Sequence, residues 1–534
     1  MPRWLAHTGL LLFTLCLMLP VLALVGSWAG FGAAERDVLL QMAQTVLPEY
    51  ALTSLVLCVS VALGVAVVGA ATASAVTLFD FPGRRWFEWA LLLPLAMPAY
   101  VVAYAYTDFL QFSGPFQTWV REAFDLRGRV FPEVRSTWGA FWVFTFTLYP
   151  YVYLLARTAL SERAAQLMEA ARLLGAPLGR RIREVALPLA RPAMAAGVAL
   201  ALMETLADFG VASYFGIQTF TAGVYKAWLV MDNRSAAAQL ATLLLVTVAA
   251  LLWVEHRAQS RMRFSTLRGQ RSSDESQPVR LAGGRAALAV ALCALPVLAG
   301  FVLPVLFMLR PLIGGWAELP WHDFGGWALN SVSLAGIAAV LATALALLLA
   351  FAQRMQPGWA TRSAVRVSSL GYAVPGAVVV VGLLLPVGWL QAVSPDTAVG
   401  YYVTATVLGI VWAYLVRFTA VALQSVQSGY ARLPSSLDES ARMLGTTGAA
   451  LVWRVHAPLL QRSVAAALLL VFVDVMKELP ATLVLRPFNS DTLAVVAYQL
   501  ARDERLGEAA LPALALVLVG LVPVIMLSRT LRQR

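Results

Sequence analysis

Hydrophobic residues gather in long unbroken stretches rather than alternating with polar ones. About twelve such runs cover 9–28, 52–78, 86–110, 138–160, 192–215 and 236–254, then 286–309, 329–351, 365–390, 401–423, 463–485 and 509–527. Roughly twenty apolar residues are what a helix needs to cross a bilayer core. Lipid offers the backbone no hydrogen-bonding partners, so a spanning chain is helical or a closed barrel. Barrel strands alternate apolar and polar positions, and these runs do not. The pattern predicts an all-α polytopic membrane protein of about twelve transmembrane helices, arranged as two homologous six-helix halves. The run after Arg3 reads as a retained helix, being long for a cleaved leader and lacking a small-x-small site after it.

The expected organisation is an N-terminal helix and outer loop (1–50), a first transmembrane domain (51–256) and a cytoplasmic linker (257–285). A seventh helix with an outer loop (286–328), a second transmembrane domain (329–528) and a cytoplasmic tail (529–534) follow. The linker is rich in Arg, Ser, Gln and Gly.

Charge gives the runs a direction. The chain is 60% hydrophobic and 13% charged, against about 25% charged in soluble domains. Its net charge of +11 is carried by arginines in alternate loops. Arg84 and Arg85 follow the second run, Arg163, Arg172, Arg180, Arg181 and Arg183 the fourth, and Arg257, Arg261, Arg263, Arg268, Arg271 and Arg280 the sixth. Arg354, Arg362 and Arg366 follow the eighth, and Arg529, Arg532 and Arg534 close the chain. Such loops face the cytoplasm, which puts both termini on the cytoplasmic side of what is expected to be a bacterial inner membrane and makes a nucleic-acid partner unnecessary. Cys16, Cys58 and Cys293 are scattered, as are His7, His256, His322 and His456; neither a metal site nor any cofactor is expected.

One polar element occurs twice. Glu169-Ala170-Ala171 leads through three residues to Gly175 and thirteen positions later to Pro188; Glu439-Ser440-Ala441 leads to Gly445 and Pro458 with the same spacing, 270 residues on. Thr53-Ser54 and Pro98 are echoed by Asn330-Ser331 and Pro375 at an offset of 277, so the first half holds about seven extra residues, placed in 113–136. Pro434, Ser436 and Glu439 predict a capped helix start. Leu437, Ala441 and Leu444, matched by Leu167, Ala171 and Leu174, predict one apolar stripe suited to a partner's groove. Gly175 and Gly445 are placed to end each short helix in the left-handed conformation.

This pattern resembles the signature loop of the inner-membrane permeases of binding-protein-dependent ABC importers. The resemblance covers roughly 52–256 and 329–527, with the first and seventh helices as additions to each five-helix core. It implies that Glu169–Gly175 and Glu439–Gly445 are coupling helices seated in two copies of a cytoplasmic P-loop ATPase, with a periplasmic solute-binding protein on the other side. The ATP would be bound by those partner subunits. The segments 204–210, 477–488 and 503–510 are similar to fused two-domain permeases of the ferric-iron type. Relatives of this architecture carry thiamine, polyamines or phosphonates.

Glu204 and Asp208 lie one turn apart in the fifth run, and Asp474 and Glu478 repeat them 270 residues later beside Lys477. A charge at a helix centre in lipid costs about 2.5–3.5 kcal/mol on insertion scales, so these groups should face protein or water. They are candidates for a gate or pathway, or else for locks near helix ends. The chain's two lysines follow Tyr225 and Met476, where no phosphate-binding loop exists, so the chain itself is not expected to be an enzyme. An ion-gradient-driven carrier of twelve helices is the rival reading, but it has no use for a repeated docking loop.

Overall fold

The computed structural model describes residues 3–30, 32–161, 165–266, 278–446 and 448–532. Ten helices among them are long and apolar enough to cross a membrane, and an eleventh span is bent. Each expected run falls on a helix. The first lies in Arg3–Gly26, of which Thr14–Ala29 forms a shorter apolar segment. Arg163, Arg268, Arg271 and Arg534 lie outside the described residues.

Five runs expected to be continuous are broken: the tenth between Val399–Thr404 and Val407–Tyr430, with no counterpart in Thr137–Ala159, and four others at matching places in the two repeats. The third bends by 89° between Arg84–Ala96 and Ala99–Phe124. Pro98 sits at that break with φ −60° and ψ 136°, and Pro375, at φ −58° and ψ 145°, precedes helix Gly376–Val393 in the same way. Proline removes a donor and crowds the preceding turn, which ends the helix before it. The fifth run splits into Leu187–Ala207 and Gly210–Phe215, and the eleventh into Ala457–Met476 and Pro480–Leu485. Hydropathy reads through these breaks because the residues on both sides are apolar.

The chain forms two compact units, each drawing on both halves of the sequence. One comprises Ala43–Gly223, Val246–Pro320 and Ala497–Arg534. Its centre is formed by Leu47–Leu78, Thr137–Ala159 and Leu187–Ala207. Small residues let these helices approach closely, as is usual in lipid: a side chain on Gly69 would lie 2.6 Å from Val152 Cβ, and one on Gly197 2.6 Å from Val152 Cα. The seventh run joins this unit, where the Tyr106 hydroxyl donates to Ala299 O at 2.7 Å. The linker's end, Val279–Arg280, pairs in parallel with Phe79–Asp80.

The other unit comprises Met1–Met42, Val224–Leu245 and Trp321–Val496. Trp321–Met355, Val407–Tyr430 and Ala457–Met476 form its centre. The first helix belongs here, with the second repeat, rather than with the first core as its sequence position suggests. Pro20 O lies where a Gly382 side chain would be, and Trp412 Nε1 donates to Cys16 O at 3.2 Å.

Candidate functional site

The repeated motifs fold alike. Ala165–Leu173 and Ser435–Met443 are short helices. Each ends at its glycine: Gly175 and Gly445 both have φ +80°, a conformation cheap only without a side chain. In the first loop Ala176 N–H reaches Ala171 O at 3.0 Å and Gly175 N–H reaches Arg172 O at 2.9 Å. In the second, Thr446 N–H reaches Ala441 O and Gly445 N–H reaches Arg442 O, both at 2.9 Å. These paired bonds satisfy the carbonyls a helix end leaves open. Each loop then enters its next long helix through one widened turn, Leu187 N–H bonding Ile182 O and Ala457 N–H bonding Val452 O. Pro188 and Pro458 follow directly, and their first-turn position needs no amide hydrogen.

The apolar surface of the loops differs from the predicted stripe. Ala441 is buried and Leu437 half-buried against the loop's own unit; Ala171 is half-buried, and Leu167 is exposed. The large bare side chains are adjacent instead. Leu173 and Leu174 are 82% and 89% exposed, and Met443 and Leu444 89% and 86%. The glycine turn causes this: Leu444 has left helical geometry, at φ −84° and ψ 13°, which swings it off the stripe. The predicted capping box is also absent. The second helix begins two residues earlier than a Ser436 cap would place it, at Ser435 with Pro434 at the cap and no side-chain cap bond, so Ser436 sits inside the first turn. Glu439, Ala170 and Ser440 are exposed, Pro188 is half-buried, Pro458 is exposed, and the side chain of Glu169 lies outside what is described.

The second loop is held from below by a polar clamp that sequence reasoning missed. Asp438 Oδ2 accepts from Arg354 Nε at 2.6 Å. Its Oδ1 lies 2.9 Å from Nε2 of His456, which is fully buried. The Tyr430 hydroxyl lies 3.1 Å from His456 Nδ1. The imidazole bridges the two, with one ring nitrogen on the Asp438 carboxylate and the other on the Tyr430 hydroxyl. Arg354 also donates to Tyr430 O, Leu433 O and Pro434 O at 3.0–3.2 Å, closing the carbonyl end of Val407–Tyr430 where a cation is favoured. Burial pushes the Asp438 carboxyl up, but the hydrogen bonds from Arg354 and His456 outweigh it and hold the group below its ordinary value. The signal was present in the repeat: 270 residues earlier, Asp438, His456 and Tyr430 are matched by Met168, Ala186 and Leu160.

Of the intramembrane acids, Asp208 and Glu478 sit at the helix breaks and cap the short helix that follows. Asp208 Oδ1 accepts from Val211 N–H at 2.8 Å. Glu478 accepts from the N–H groups of Ala481 and Thr482 at 2.9 Å, from the Thr482 hydroxyl at 2.6 Å and from Arg417 at 2.8 Å. The Tyr414 hydroxyl lies 2.7 Å from Thr482 Oγ1. Gly376 leaves the room, since a side chain there would stand 3.0 Å from Glu478 Oε1. Glu204, Asp474 and Lys477 are half-buried near the ends of the preceding helices.

The family profile of the binding-protein-dependent transport system inner membrane component matches residues 65–264 and again 342–534. The chain belongs to this family of ABC transporter permeases. The permease is 26% identical to the Fe(3+)-transport system permease protein FbpB 2 of Haemophilus influenzae, over 89% of this chain and 88% of that protein. It is 24% identical to a probable ABC transporter permease protein of Sinorhizobium fredii, over 99% and 95%. A sulfate transport system permease protein of Escherichia coli is 30% identical over 48% of this chain and 91% of its own length. The permease is thus a multi-pass inner-membrane protein and the non-catalytic subunit of its transport system. Both profile matches contain a motif loop and a capping acid.

Proposed function

We propose that this permease is the membrane subunit of an ATP-driven ferric-iron importer. Its two loops dock on two copies of a separate ATPase, which binds the ATP, and a periplasmic binding protein delivers the solute. The observation that carries the docking role is the pair of bare apolar tips, Leu173-Leu174 and Met443-Leu444, each fixed by the same glycine turn. Four large apolar side chains this exposed on short polar loops call for a partner surface. Arg-rich flanks favour the cytoplasmic side for both loops and both termini. The ferric reading is supported by the near full-length likeness to an Fe(3+) permease. Sulfate is the competing solute, favoured by the higher identity over one half.

Glu204, Asp474 and Lys477 remain the pathway or gate candidates, while Asp208 and Glu478 hold the helix breaks beside them. No resident metal is required; ferric iron is cargo. The test is reconstitution of the permease with its ATPase and receptor in vesicles. ATP-dependent uptake of iron, with none of sulfate, supports the proposal; uptake of sulfate alone overturns the solute, and ATP-independent uptake overturns the importer.

A further inference from the structure

A second site lies within the unit that holds the first helix. An open cleft of about 550 Å³ is bordered by Trp28, Glu35, Arg234, Gln239, Gly388 and Trp389. It stands at a membrane boundary: Arg3–Gly26 and Gly376–Val393 end beside it, and Arg234–Thr266 begins there. Tryptophans are favoured at that depth. Trp28 is fixed by its Nε1–H bond to Thr242 Oγ1 at 3.1 Å. Val25, Trp389 and Val393 expose apolar surface around the same helix ends.

The polar groups here are opposite in charge and underused. Among the described residues, no hydrogen bond or ion pair engages the Arg234 guanidinium. It lies over Gly388, where a side chain would come within 2.7 Å of it. Gln239 is 4% exposed; its Nε2 donates to Glu35 O at 2.9 Å, which leaves Oε1 as an acceptor buried without a partner. The cleft thus offers one cation with free donors, and two acceptors: Gln239 Oε1 and the Glu35 carboxylate, whose Oε2 already takes the Gly32 N–H at 2.9 Å and whose other oxygen has no bond among the described residues.

We infer that this cleft binds the head of a phospholipid with a primary ammonium group, its phosphate on Arg234 and its ammonium on Glu35 and Gln239, with the acyl chains along the exposed apolar helix ends. Glu35 disfavours a purely anionic head, and a trimethylated ammonium has no hydrogen to give Gln239 Oε1. The inference does not depend on the transported solute.

The test is native mass spectrometry of the full-length permease taken from vesicles of equimolar phosphatidylethanolamine, phosphatidylcholine and phosphatidylglycerol. The wild type should retain phosphatidylethanolamine selectively. Arg234→Ala should reduce that retention about ten-fold, the effect of one lost charge-assisted contact. Gly388→Leu, which keeps every charge but occupies the guanidinium's place, should do the same, and it covers the case in which Arg234→Ala fails to fold. Equal retention of the three lipids, a preference for phosphatidylglycerol, or selective retention unchanged by Gly388→Leu would each overturn the assignment.

Discussion

The two loops share a backbone but not an anchor. Their helices end in the same pair of carbonyl bonds, at the same glycine angle, and re-enter through the same widened turn. Beneath the second loop lies the clamp of Arg354, Asp438, His456 and Tyr430. Beneath the first, the matching positions are Thr77, Met168, Ala186 and Leu160, and Met168, Ala186 and Leu160 are buried. The first half places its clamp elsewhere. Glu88 takes Arg157 at 3.0 Å and Arg84 at 3.6 Å, and its carbonyl accepts from the Tyr153 hydroxyl at 3.0 Å. Those bonds tie Arg84–Ala90 to Thr137–Ala159 and leave the loop helix out. Presenting a tip demands one backbone shape, which glycine and proline specify; holding the loop down can be done with apolar packing or with charge.

The largest effect should come from what the loops share. Replacing Leu173 and Leu174 together with Asp, or Met443 and Leu444 together with Asp, should each abolish co-purification of the ATPase. Interface anchors contribute about 2 kcal/mol or more apiece, roughly thirty-fold in Kd. Loss from only one of the two pairs would break the equivalence of the loops.

The next effect should separate them. Arg354→Ala strips a buried carboxylate of its cation, a change that costs about 3–5 kcal/mol, and should lower both thermal stability and coupled ATP hydrolysis. Grafting the first loop's residues together, Arg354→Thr with Tyr430→Leu, Asp438→Met and His456→Ala, should recover much of what Arg354→Ala loses. A graft as damaged as the single variant would show that the charges themselves are needed. Asp438 also sets a pH limit. Because its folded value lies below its unfolded one, the clamp stabilises fully above the ordinary carboxylate range. That contribution is lost as pH falls through the folded value. Thermal unfolding followed below neutral pH should show this loss in the wild type and not in the graft.

The breaks give a smaller contrast. Glu478→Gln disturbs Arg417, Thr482 and two backbone donors, and should cost about 3 kcal/mol. Asp208→Asn preserves a cap in which Asn serves nearly as well as Asp, at a cost under about 1 kcal/mol. Where Arg417 stands in the second half the first has Thr147, whose hydroxyl bonds Val143 O in its own helix. Unfolding curves of both variants in lipid would show whether the caps are as unequal as their partners. Glu88→Gln should be milder than Glu478→Gln, near 1 kcal/mol, because its pair is partly solvated.

The parts legible in the sequence are those fixed by local rules. Run length announced the helices, spacing revealed the repeat, and Gly175 and Gly445 announced the left-handed turns. The breaks at Asp208 and Glu478 were masked because apolar residues continue on both sides; the local cues were Pro480, two positions after Glu478, and the Asp208-Phe209-Gly210 sequence. The clamp was hidden for a different reason. Arg354 lies more than eighty residues from Asp438 in sequence, and it reads as an ordinary loop charge until folding brings the two together. The first helix's place in the second unit is likewise a long-range outcome, since its apolar surface would suit either core.

The claim on which the rest depends is that both tips face the ATPase. Photo-crosslinking amino acids placed at positions 174 and 444 of the assembled transporter test it directly. Each position alone should yield a covalent adduct with an ATPase subunit. Adducts from neither position, or labelling of both by an impermeant reagent added outside intact cells, would contradict the account.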